Sequence, residues 1–237
     1  MNRKITNLIR FIFDEFLPPL LRDNRFFMYP FFFLWFKGKN VSKLMSFKDS
    51  IHLMGKDEYN HFYKIYDSLP SRETDLNQKT EKFILSKLKN RKEAKIIDVG
   101  CGSGYLLKKL KAEGFKNLTG CDINPPPHDN EISFLTADID NLPFDDHEFD
   151  VVICNHTIEH VIDLGKAVDE LKRISGNMLI VTVPCQRYYH YTFDLHIHFF
   201  PEMGYLLNTM KIQNHECYKL DGDFCFVGNL SPIEPMQ

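Results

Sequence analysis

The apolar positions of this chain change period several times, and each change marks an element. Ile5, Leu8, Ile9, Ile12, Phe13 and Phe16 recur at helical spacing, and Pro18-Pro19 ends that helix. Phe26 to Phe36 is then almost wholly apolar, too short to span a bilayer and interrupted by Pro30. A helix-like segment with Tyr59, His61, Tyr63 and Tyr66 follows. Thr80 to Lys89 predicts a helix with Phe83, Ile84, Leu85 and Leu88 on its apolar face. From there strands and helices alternate. Lys95–Val99, Leu118–Ile123, Ile132–Ile139, Phe149–Asn155 and Met178–Val183 predict strands. Tyr105–Glu113 predicts a helix, as does His160–Ser175, whose Val161, Leu164, Val168, Leu171 and Ile174 line one face. Pro201 opens a helix over Glu202–Met210. Ile212–Leu220, an Asp221-Gly222 turn and Asp223–Leu230 predict a closing hairpin.

The junction between the first strand and its helix carries the chemistry. Asp98 ends the strand, and Gly100, Gly102 and Gly104 follow at alternate positions before the helix. Strand, glycine turn and helix together seat nucleotide-like cofactors, because glycine lets the backbone approach a ligand without a Cβ in the way. A dinucleotide fingerprint would need glycine at 105, where Tyr105 stands. The second strand ends in Asp122-Ile123, the third in Ala137-Asp138-Ile139, and Asn141-Leu142-Pro143-Phe144 leads into Phe149–Asn155. These four passages, in this order, resemble the class I S-adenosylmethionine (SAM) dependent methyltransferases over roughly residues 80–230. The resemblance implies a Rossmann-like doubly wound α/β sheet of order 3-2-1-4-5-7-6, last strand antiparallel, with an N-terminal helical extension. It divides the chain into an aromatic, basic extension or lid (1–75) and a methyltransferase domain (76–237). It implies SAM as cofactor and S-adenosylhomocysteine as product. The implied contacts are Asp98, Gly100, Gly102, Gly104, Asp122 on the ribose, Ile123, Asp138 near the adenine, Ile139 and Asn155.

Methyl transfer is an in-line displacement, so the protein mainly positions the nucleophile, and a general base helps a neutral hydroxyl. Ligands of open α/β sheets bind outside the carboxyl ends of the strands. After the fourth strand stand His156, Glu159 and His160. A helical turn there would place both histidines on one face with Glu159 beside them. Some family members carry E-x-x-E-H here and bind a divalent metal. This chain has H-x-x-E-H, which would move preference from magnesium towards manganese, iron or zinc. His156, Glu159, His160 and His198 are therefore candidates as catalytic groups or as metal ligands, with a structural role for Glu159 and His160 as the third reading. After the fifth strand, residues 184–200 concentrate tyrosines, histidines, Arg187 and Asp194. Arg187, Tyr189 and His196, with Tyr63, are candidate substrate contacts.

Composition narrows the setting. A hydrophobic share of 43% and a charged share of 26% are those of a globular domain. Six scattered cysteines without C-x-x-C point to reduced thiols and a cytoplasmic setting, and no secretory signal is evident. Residues 1–48 carry nine basic and three acidic residues, a net +6, while the remainder carries −9. So acidic a catalytic part disfavours long nucleic acid as a partner. The basic, Phe-rich start is either an interfacial anchor at the inner membrane surface or a lid or homodimer contact packed on its own domain. The passage Lys43–Tyr63 is similar to methyltransferases of bacterial surface-polysaccharide clusters. That similarity implies O-methylation of a polar, phosphorylated or phosphoramidate-bearing precursor carried on a nucleotide or lipid in capsule biosynthesis. The rival readings are a metal-dependent quinone-type phenol O-methyltransferase, an RNA-end methyltransferase, and a non-catalytic SAM-binding partner.

Overall fold

The computed structural model describes residues 11–13, 16–66, 73–127 and 131–230, with the side chains of 63–66 left aside. The N-terminal helical periodicity from Ile5 falls largely outside the described residues, and so does the Tyr63 side chain. The chain divides into two compact units, one of residues 1–72 and 186–199, the other of 73–185 and 200–237.

The larger unit is an α/β sheet. Helix α6 (Gln78–Leu88) precedes β1 (Lys95–Val99); α7 (Tyr105–Ala112) leads to β2 (Asn117–Asp122) and β3 (Ser133–Thr136). Strand β4 (Phe149–Asn155) is followed by a 3-10 turn (Ile158–His160), α8 (Leu164–Arg173) and β5 (Ser175–Pro184). Helix α9 (Met203–Met210) and the hairpin β6 (His215–Leu220) and β7 (Asp223–Asn229) close the unit. The strand order is β3-β2-β1-β4-β5-β7-β6, as the resemblance implies, and β7 runs antiparallel to both its neighbours.

The central strands read as unbroken apolar runs because both sheet faces are covered. Successive side chains divide between the faces. Ile97, Val99, Val152, Cys154, Leu179 and Val181 enter one core cluster. Ile96, Val151, Ile153, Met178 and Ile180 enter the other. The parallel strands thus all point their carboxyl ends to one edge, where glycine turns and helix starts collect.

The segment after β4 departs from the sequence expectation. The helix expected over His160–Ser175 begins at Leu164, because Asp163 caps it by accepting from Lys166 N–H (3.0 Å). His156 and His160 therefore do not share a helical face. His156 has left-handed backbone (φ 50°), and only Ile158–His160 form a turn of 3-10 helix.

The smaller unit is helical: α1 (Pro19–Arg22), α2 (Arg25–Trp35), α3 (Val41–Met45), α4 (Phe47–Ser50) and α5 (Lys56–Tyr66). Asn24 caps α2 by accepting from Phe27 N–H (3.0 Å). Helix α2 runs unbroken through Pro30. The carbonyl deprived of its donor belongs to Phe26, a residue 90% exposed, where water can replace it. Met28, Phe32 and Phe36 form the core of this unit with Val41, Leu44, Met45 and Tyr191.

Candidate active site

The β1–α7 turn is built for close approach. Gly100, Gly102 and Gly104 all have positive φ (75°, 50° and 73°). At Gly100 a Cβ would clash with Thr157 Oγ1, so the side chain two residues beyond β4 packs directly on the turn. At Gly104 it would lie 2.7 Å from the Phe134 ring. At Gly102 nothing stands within 4 Å, and the backbone is open there.

Carboxylates frame the turn. Asp122, at the end of β2, accepts from Gly102 N–H and Asn124 N–H, both at 2.9 Å. Asp98, at the end of β1, is buried, and its Oδ1 has no hydrogen-bond partner. Burial, with the Asp122 charge adding to it, pushes the Asp98 carboxyl up to about 8. Ala137 N–H donates to Asp122 O (3.1 Å), which brings the Asp138 segment alongside, and Asp138 pairs in a short bridge with Asn141. Ile139 is buried beneath. Asn155, at the end of β4, has both amide atoms buried without partners. A buried amide with no partner costs free energy unless a ligand satisfies it.

Beyond β4 lies a group of charges. His156 N–H donates to Thr182 O (2.9 Å), which fixes the turned backbone. Its Nδ1 lies 3.4 Å from Glu159 Oε1, and its Nε2 3.3 Å from Asp223 Oδ2. Burial opposes a charge on this ring, but the Asp223 and Glu159 carboxylates outweigh it and hold His156 up at about 10. Glu159 and Asp223 are both buried. Asn77 joins the group. Its Oδ1 caps α6 at Thr80 N–H (2.8 Å), and its Nδ2 donates to Asp223 Oδ2 (2.8 Å) and Leu220 O (2.7 Å). His160 follows in the 3-10 turn, its N–H donating to Thr157 O (2.9 Å).

The structure thus gathers Asp98, the three glycines, Asp122, Asn155, His156, Glu159 and His160 at one sheet edge. Sequence reasoning missed Asp223 and Asn77. Asn77 is a helix-capping residue type, and Asp223 opens the strand after the Asp221-Gly222 turn; neither position pointed to His156.

The remaining candidates belong to the smaller unit. His196 Nδ1 lies 2.6 Å from Gln186 Oε1 and 3.4 Å from Asp194 Oδ1, and both His196 and Gln186 are buried. Tyr189 is also buried; Arg187 is exposed and His198 half-buried. The same unit holds Lys48, whose Nζ donates to Tyr189 O (2.6 Å) and lies 4.4 Å from the centre of the Phe199 ring. Burial, resisted by Asp194 and Asp23, brings its amine down to about 7.

Comparison with known proteins agrees with this geometry. A family model described as a methyltransferase domain matches residues 97–177, from β1 into β5. In structure, the chain is similar to one from the complex between the Haloferax volcanii Trm112 methyltransferase activator and a methyltransferase. The TM-score is 0.55 at 16% identity, covering 78% of this chain and 97% of that one. The fold is that of a class I methyltransferase. The methyl donor that the matched family implies is SAM. The open Gly102 backbone, the Asp122 carboxylate and the orphaned Asn155 amide fit that cofactor. The methyltransferase segment is 30% identical over 115 residues to malonyl-(acyl-carrier protein) O-methyltransferase of Pseudescherichia vulneris, covering 46% of this chain and 44% of that protein. It is 29% identical over 153 residues to a ubiquinone biosynthesis O-methyltransferase of Rickettsia bellii, covering 55% and 63%. The chain therefore spans less than two thirds of either relative.

Proposed function

We propose that the protein is a SAM-dependent O-methyltransferase acting on a polar, anionic small molecule. The observation that carries this reading is the ring of groups at the carboxyl ends of β1, β2 and β4: the positive-φ glycine turn, Asp122 and the unpartnered Asn155 amide. Bound SAM supplies an activated methyl and its own leaving group. Asp122 accepts from the ribose hydroxyls, Asn155 turns its amide to the cofactor, and Asp138 and Ile139 border the adenine.

The charges beyond β4 then bear on the acceptor. Both nitrogens of His156 face carboxylate oxygens, so the ring is an imidazolium at neutral pH rather than a metal ligand or a general base. Glu159 and His160 remain to orient the acceptor or take its proton. An acceptor oxygen that is already anionic needs no base. A phosphoryl-bearing precursor of surface-polysaccharide assembly meets that condition, and the passage Lys43–Tyr63 supports it. A quinone-type phenol acceptor is the second reading, favoured by the likeness to the ubiquinone biosynthesis enzyme.

Calorimetry with SAM tests the cofactor site. Asp122→Ala removes a charged acceptor worth about 1.5–3 kcal/mol per hydrogen bond, a loss of at least tenfold in affinity. Unchanged affinity would sink the assignment. Formation of S-adenosylhomocysteine from phosphorylated sugars, against catechols, then separates the two acceptor readings.

A further inference from the structure

Helix α2 is apolar on the side it buries and on the side it exposes. Met28 and Phe32 are buried, whereas Phe26 (90% exposed), Tyr29, Phe33 and Leu34 (76%) face outward. The outward positions 26, 29, 33 and 34 recur at i, i+3, i+7 and i+8, so they form one stripe, and Tyr29 and Phe33 stack along it. Leu20, in the preceding α1, is 83% exposed. A single exposed apolar residue needs no explanation, but a contiguous stripe marks an interaction site. A helix apolar all round normally has both faces covered.

Charge identifies what covers it. Lys37, Lys39 and Lys43 are all exposed just beyond the end of α2. Residues 24–43 hold four basic residues and no acid. No helix among the described residues is long and apolar enough to cross a membrane. We propose that this face docks on an anionic lipid surface. Phe26, Tyr29, Phe33 and Leu34 enter the boundary between headgroups and acyl chains, and Lys37, Lys39 and Lys43 meet the lipid phosphates. Ring-rich apolar faces with basic neighbours bind such surfaces by the sum of buried area and electrostatic attraction. A second copy of the chain is a poorer occupant, because the basic rim would meet itself.

Flotation of the full chain with liposomes tests it, comparing phosphatidylcholine alone with phosphatidylcholine containing phosphatidylglycerol. The protein floats with the anionic vesicles only, and salt weakens the association. Phe26→Ser with Leu34→Ser lowers the partition coefficient about tenfold or more, since two apolar side chains no longer leave water. Both side chains are exposed, so the circular dichroism spectrum and Tm stay unchanged. Lys37→Glu with Lys39→Glu lowers binding by about tenfold as well. Absence of binding by the unaltered protein overturns the proposal, as does equal binding to neutral and anionic vesicles. A dimer in light scattering that the serine substitutions dissolve, without vesicle binding, overturns it in favour of self-association.

Discussion

Removing one carboxylate from His156 has a calculable effect. The ring sits between Asp223 (3.3 Å) and Glu159 (3.4 Å) and titrates at about 10 instead of its ordinary 6.5. A group whose folded pKa is raised stabilises the fold fully below its unfolded value and loses that contribution as pH climbs through the folded value. The window here runs from 6.5 to about 10. At 1.36 kcal/mol per unit, the contribution below the window is capped at about 5 kcal/mol. Asp223 supplies the larger share of the upward pull, so Asp223→Asn should remove about 3 kcal/mol at about pH 6 and little at about pH 10. Urea unfolding of both proteins across that range gives the difference directly. Taking the difference also cancels other groups. Lys48, lowered to about 7, gains stability with rising pH over much of the same window and would mask the trend in the unaltered protein alone. The His156 ring proton, followed by NMR, supplies an independent pKa. A stability difference that stays flat from about pH 6 to about pH 10, with His156 titrating near its ordinary value, would refute the imidazolium reading.

Two further outcomes follow from the cofactor turn. Gly104→Ala places a Cβ 2.7 Å from the Phe134 ring at φ 73°, so thermal unfolding should show a loss of about 1–2 kcal/mol from backbone strain alone, with a matching fall in SAM affinity. Asp98 is an acid with a raised folded pKa, so its contribution to stability is lost as pH rises from 3.8 through about 8; Asp98→Asn should flatten Tm against pH over that interval, and an unchanged slope would show that Asp98 is ionised in the fold.

Much of the fold was legible because its signals are local. Apolar runs ending in Asp98, Asp122 and Asn155 mark strands whose carboxyl ends share an edge, and alternate glycines after Asp98 mark a turn that needs positive φ. The Asp221-Gly222 pair fixed the closing hairpin in the same way, since both residues take positive φ. The aromatic run of α2 was visible too, but not its division into a buried and an exposed face. That division depends on which residues α3 and Tyr191 cover. The chemistry beyond β4 was only half legible. The identities of His156, Glu159 and His160 stood in the sequence, whereas a left-handed residue at His156 broke the helical turn expected there. What His156 does was decided by Asp223, which β7 brings to it from far along the chain, and by Asn77, which holds that carboxylate in place. Local sequence encodes periodicity and turn chemistry. The protonation state of a buried ring depends on charges that only the folded sheet brings within reach.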